Sequence, residues 1–141
     1  MEPLDLEGLP ADALILLDSA PIIYFLEGHP KFGPRFQPLF EQHAKGAIRF
    51  AVSTITIAEV LTGPISAGDE ALVRRYRGIL ESWQVVGLDS EIAEGAARVR
   101  AAFRLKMADA VQVASALAID ADALVTHDRD FSSVRSLRVI S

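Results

Sequence analysis

Short, wholly apolar runs alternate along this chain with longer stretches of helical periodicity. Ala13–Leu17 (ALILL) is apolar throughout and stops at Asp18, the pattern of a strand covered on both faces. Ala47–Val52 (AIRFAV) is a second such run, leading into STITIAEVLTGP, where Ile57, Val60 and Leu61 recur at helical spacing. This predicts a helix from about Ser53 or Thr54, with Gly63-Pro64 as its stop signal. In Ala67–Leu80, Leu72, Val73, Tyr76, Ile79 and Leu80 share a face and Arg74, Arg75 and Arg77 lie mostly off it, which predicts an amphipathic helix. WQVVGL after it is a short strand candidate.

From Asp89 to about Arg104, the spacing of Ile92, Ala96, Val99 and Phe103 predicts another amphipathic helix, capped by Asp89 or Ser90. Met107–Ile119 is rich in alanine and almost uncharged, as in a buried helix. ALVT (residues 123–126) and the terminal LRVI, with a turn through HDRDF between them, predict two more strands. Gly28–Pro38 carries prolines and glycines suited to a loop or a helix connection. Strands separated by helices of about ten or more residues need crossover connections. The expected fold is therefore a three-layer α/β/α sandwich around a mainly parallel central sheet.

The length, 141 residues, suits one ordinary domain with a real core, and half of the residues are hydrophobic. No apolar run reaches the roughly 18 residues of a membrane span, and the start, MEPLDLEGLP, is acidic rather than basic. With no cysteine, thiolate metal sites are excluded and a cytoplasmic, membrane-free location is expected. The net charge of −5 argues against a protein whose whole surface embraces nucleic acid, but leaves room for a local basic patch.

In a parallel sheet, ligands gather at the carboxyl ends of the strands where strand order reverses. Asp18 follows the first strand directly, and Thr126, His127 and Asp128 follow the ALV run. Glu59 and Asp109 come from helices whose neighbouring positions are mostly apolar, and a carboxylate there is costly to bury unless it is bonded, paired or bound to a cation. Each acid also has a plainer role open to it. Asp18 could cap a helix, Asp109 could favour its helix N-terminus, Glu59 could be exposed or paired with arginine, and Asp128 and Asp130 could be turn residues. Together the four carboxylates, Asp18, Glu59, Asp109 and Asp128, form an oxygen-only set suited to Mg2+ or Mn2+ rather than zinc. Clustered, they should raise the pKa of at least one member.

The segments LLDSAPIIYFLEG, STITIAEVL and LKMADAVQVASALAIDADALVTHDRDF resemble the successive signature segments of PIN domains, particularly VapC-like toxins, over nearly the whole chain. The resemblance implies one PIN-like nuclease domain over residues 1–141. It implies an acidic quartet that binds Mg2+ or Mn2+ and cuts RNA, carried here by Asp18, Glu59, Asp109 and Asp128, with Thr126 as the accompanying hydroxyl and Asp130 in support. A cognate antitoxin protein and a homodimer are the partners it implies besides the RNA substrate. The Met1–Asp12 extension and the Gly28–Pro38 stretch are less typical of the pattern.

For a polyanionic substrate, Arg98, Arg100, Arg104 and Lys106, shortly before Asp109, are the candidate contacts. The Arg74 cluster reads better as a solvated helix face. His127 could assist a proton transfer, although position alone does not make a base; His29 and His43 give no signal. Apolar helix surface around Ile22, Phe25 and Leu26, or Leu72, Tyr76 and Ile79, could serve a protein contact. A dehalogenase-like phosphatase would need a second acid where Ala20 stands, and a receiver-like domain would need paired acids at its first strand and a late lysine; neither is evident.

Overall fold

The computed structural model describes residues 2–128, 131, 134 and 136–141. Five parallel strands, β1 (Ala13–Leu17), β2 (Ile48–Ser53), β3 (Gln84–Val86), β4 (Ala123–Val125) and β5 (Val139–Ile140), form one sheet in the order β3-β2-β1-β4-β5. Among the described residues six helices accompany them: α1 (Ser19–Glu27), α2 (Gly33–Ala44), α3 (Thr54–Ser66), α4 (Glu70–Glu81), α5 (Ser90–Phe103) and α6 (Met107–Ala118). The chain first winds outward from β1 through β2 to β3, then returns to lay β4 on the other side of β1. Right-handed crossovers put helices on opposite faces when the winding direction reverses. Accordingly α1 to α4 pack on one face and α5 and α6 on the other.

The continuous apolar character of β1 has its cause here. Ala13, Ile15 and Leu17 enter the core beneath α1 to α4, while Leu14 and Leu16 enter the one beneath α5 and α6. Ala123, Leu124 and Val125 of β4 divide in the same way. Ala110, Val113, Ala114 and Ala116 bury α6 almost completely, and small side chains let it lie close to α5, where Gly95 meets Ala114.

Two expectations need correction. Gly63-Pro64 does not end α3, which continues to Ser66 with a buried Pro64 inside it. A proline removes one backbone donor, and here the packing of Val60, Leu61 and Pro64 outweighs that loss. Nor is Gly28–Pro38 a loop throughout, because α2 begins at Gly33. Pro34 occupies the first turn, where its missing N–H is not needed, and Phe36, Leu39 and Phe40 anchor the helix across Pro38. Gly28 adopts φ 62° and closes α1 in the left-handed conformation that glycine accepts without strain. Among the described residues no helix is long and apolar enough to cross a membrane.

Candidate active site

Strand order reverses between β1 and β4, and the carboxyl ends of these two strands are the place where the acids meet. Leu17 pairs with Val125, and the Asp18 N–H donates to the Val125 carbonyl at 2.9 Å, so Asp18 and Thr126 emerge side by side. Asp18 caps α1, its Oδ1 accepting the Ser19 N–H at 2.9 Å. The capping role is thus real, and the other side of the carboxylate is held separately. Thr126, fully buried, donates its hydroxyl to Asp18 Oδ2 at 2.8 Å and accepts the Asp128 N–H at 3.0 Å. One threonine therefore holds the Asp18 carboxylate and the Asp128 backbone.

Glu59 projects from α3, and its carboxyl is pushed above the ordinary glutamate range. Partial burial is the main cause and the negative charge of Asp18 the next; a hydrogen bond with Ser19 opposes them, and the charge of Asp109 adds to them. Asp109 lies in the first turn of α6, where the helix dipole also favours an anion. Glu59 on α3 therefore senses the charges of Asp18, which follows β1, and of Asp109 on α6. The backbone N–H of Asp128 is bonded to Thr126, which also holds Asp18. Asp130 lies outside the described residues.

Sequence reasoning missed the buried amide that joins these pieces. Gln112 Nε2 donates to Asp18 Oδ1 at 3.0 Å and to Thr56 Oγ1 at 2.6 Å, and Gln112 Oε1 accepts from Ser53 Oγ at 2.9 Å. The available signal was its place as the one polar residue in the apolar run from Ala110 to Ala114. His127 packs in an aromatic cluster, with Tyr24 Oη and His127 Nδ1 2.9 Å apart and the Phe32 ring centroid at 4.6 Å. Among the described residues no three His, Cys, Asp or Glu side chains are already arranged to hold a metal ion. The donor chemistry nevertheless fits a hard dication, because it is oxygen only, net negative and braced by hydrogen bonds.

The basic candidates sit at the α5–α6 connection. Arg98 is exposed and paired with Glu94 at 3.5 Å, one turn before it. Arg100 Nε donates to the Leu105 carbonyl at 3.2 Å, and Arg100, Arg104, Leu105 and Met107 line an open depression of about 490 Å³. Lys106 precedes α6 and stands three residues before Asp109. Of the residues expected on an apolar helix surface, Ile22 and Tyr76 are buried in the core, Leu26, Leu72 and Ile79 are half-buried, and Phe25 is 45% exposed.

The raised Glu59 pKa has a consequence for stability. An acid that binds its proton more tightly in the folded state adds stability in full below the ordinary glutamate pKa, about 4.3, and loses it as pH climbs through the raised value. Divalent cations should therefore raise the melting temperature more at pH 7 than at pH 4, and Glu59→Gln should raise it slightly at pH 7 in EDTA. Thermal unfolding at the two pH values, with and without Mn2+, checks both outcomes.

A doubly wound α/β/α sandwich with an acid cluster at its switch point defines the class of protein. The PIN-domain model matches residues 15–137, and the chain belongs to the PIN-domain family, a family of nucleases. No curated protein sequence matches it. Among solved structures it is similar to a toxin–antitoxin complex from Klebsiella pneumoniae, with 23% identity and a TM-score of 0.73 over 90% of this chain and 96% of that one. VapBC2 from Rickettsia felis, bound to a DNA fragment from its promoter, is 19% identical with a TM-score of 0.70 over 89% and 96% of the two chains. VapC20 from Mycobacterium tuberculosis, a toxin cleaving the sarcin–ricin loop, is 18% identical with a TM-score of 0.68 over 84% and 93%. At these identities the likeness establishes the fold.

Proposed function

We propose that this chain is a Mg2+- or Mn2+-dependent endoribonuclease and the toxin of a toxin–antitoxin pair, with Asp18, Glu59, Asp109 and Asp128 as its catalytic and metal-holding residues. The observation that supports the reading is the hydrogen-bond network at the carboxyl ends of β1 and β4, in which Thr126 bonds the Asp18 carboxylate and the Asp128 N–H, and Gln112 of α6 bonds both Asp18 and Thr56, one turn before Glu59 on α3. A bound dication would supply Lewis-acid activation of water and charge neutralisation at the phosphate. Asp18 and Asp109 are its main ligands in this reading, and Glu59 and Asp128 complete the shell or orient the attacking water. Glu59, pushed above the ordinary glutamate range by burial and the charge of Asp18, is suited to take the proton from that water. Thr126 keeps Asp18 and Asp128 at a fixed spacing while the substrate binds.

Arg104 and Lys106, shortly before Asp109 in the chain, are the proposed contacts to an RNA backbone, with Arg98 and Arg100 of α5. Support for such a role comes from strain: Arg104 ends α5 at φ 56°, a left-handed conformation that glycine would adopt more cheaply by about 1 kcal/mol. Arg104→Gly should raise the melting temperature by about 3 °C and weaken RNA binding several-fold, measured by thermal unfolding and filter binding. The antitoxin partner is supported by the Klebsiella and Rickettsia complexes. A second copy of the chain is the other expected partner.

The test is incubation of purified protein with labelled RNA. Cleavage should require Mn2+ or Mg2+, cease in EDTA and fall by about 10³-fold in Asp109→Asn, the loss expected when about 4 kcal/mol of charge stabilisation goes. Growth arrest on expression, relieved by a co-expressed neighbouring gene, tests the toxin assignment. Cleavage in EDTA at an undiminished rate would remove the metal from the mechanism.

A further inference from the structure

We infer that Gln112 is a positioning residue that sets the cation selectivity of the acidic site; this rests on the metal-dependent reading above. Gln112 is 1% exposed, and every polar atom of its amide is engaged. The amide can lie only one way round. Ser53 Oγ already accepts the Thr56 N–H, at 3.3 Å, so its single proton is free to go to Gln112 Oε1. The two Nε2 protons then go to Asp18 and Thr56, whereas a flipped amide would set Oε1 against the Asp18 carboxylate.

The consequence is a rigid Asp18. Its Oδ1 is held by Gln112 and Ser19 and its Oδ2 by Thr126, which fixes both the rotamer and the plane of the carboxylate. The same amide joins the elements that carry the other acids. Gln112 stands three residues after Asp109 on α6, and its partner Thr56 stands three residues before Glu59 on α3, one helical turn in each case. It does this without adding charge, so the site stays as negative as its carboxylates make it.

Rigidity discriminates between cations. Mg2+ and Mn2+ demand near-octahedral oxygen ligands at short distance, whereas Ca2+ accepts more ligands at longer and looser distances. A carboxylate locked in one orientation favours the small ions, and a loosened one loses that preference while still serving Ca2+.

The experiment measures Mn2+ binding by electron paramagnetic resonance, with Ca2+ as competitor, for the wild type, Gln112→Met, Thr56→Val and the control Ser115→Ala. Ser115 lies one turn further along the same helix, with its buried hydroxyl unpartnered among the described residues. Gln112→Met should bind Mn2+ about ten- to a hundred-fold more weakly, with Ca2+ affinity altered less than about three-fold. Thr56→Val should move the ratio in the same direction by less, and Ser115→Ala should leave it at the wild-type value. A wild-type Mn2+/Ca2+ ratio in Gln112→Met, or equal losses for both ions with a lowered melting temperature, would overturn the inference and leave the metal site standing. If Gln112→Met does not fold, the ratio in Thr56→Val decides by the same criterion. Failure of the wild type to bind either ion would overturn the metal reading itself.

Discussion

Asp18→Asn should reduce RNA cleavage by about 10³-fold or more while the protein stays folded. Asparagine caps helices as well as aspartate does, so the bond from the Ser19 N–H survives. The new amide nitrogen can donate to Thr126 Oγ1 in place of the bond it replaces, and the β1–β4 pairing is backbone only. What disappears is a negative charge at the switch point. Losing one anionic ligand from a dication site removes several kcal/mol of charge stabilisation, and each 1.36 kcal/mol is a factor of about ten in rate. The same change removes the largest charge acting on Glu59, so that carboxyl should ionise more readily. In EDTA at pH 7 the variant should melt no lower than the wild type, and the Mn2+-dependent rise in melting temperature should vanish. Circular dichroism, thermal unfolding and a labelled-RNA assay read the three effects. Cleavage within ten-fold of the wild-type rate would show that Asp18 is not a ligand.

The parts of this site that could be read from the sequence are those imposed by chain-local physics. ALILL ending at Asp18 and ALV ending at Thr126 announce strands covered on both faces, and the end of a buried strand is where a polar residue first becomes affordable. The α6 run around Asp109 was legible because an acid in an apolar helix calls for a partner. Glycine and proline were misleading in α2 and α3, since their local penalties are small beside the burial of Phe36, Leu39 and Phe40 or of Val60 and Leu61. Ile22 and Tyr76 looked like candidates for an apolar surface because a helical stripe does not reveal what covers it. The role of Gln112 was invisible for a stricter reason: its partners, Ser53, Thr56 and Asp18, lie 59, 56 and 94 residues away along the chain. No local pattern encodes such a meeting.

Thr126→Val should lower both stability and activity, and Thr126→Ser should restore most of the activity. Valine matches threonine in shape but not in chemistry, and the site is fully buried, so water cannot replace the lost hydroxyl. Asp18 Oδ2 loses a donor and the Asp128 N–H loses the bond it makes to Thr126, at a cost of about 1–3 kcal/mol to the fold. For catalysis the loss is of spacing rather than charge: Asp18 keeps its carboxylate but can rotate, and Asp128 is no longer tied to it. Removing a group that orients a metal ligand costs about ten- to a hundred-fold, so Thr126→Val should remain more active than Asp18→Asn while being less stable. That inverted ranking separates a residue that orients the acids from one that holds the cation. Serine retains both bonds and gives up only a buried methyl, worth about 0.8 kcal/mol, so its melting temperature should fall by a few degrees with activity near that of the wild type. Denaturant unfolding and RNA cleavage measured on the same preparations give the ranking, and a serine variant as inactive as the valine one would refute the hydroxyl's role.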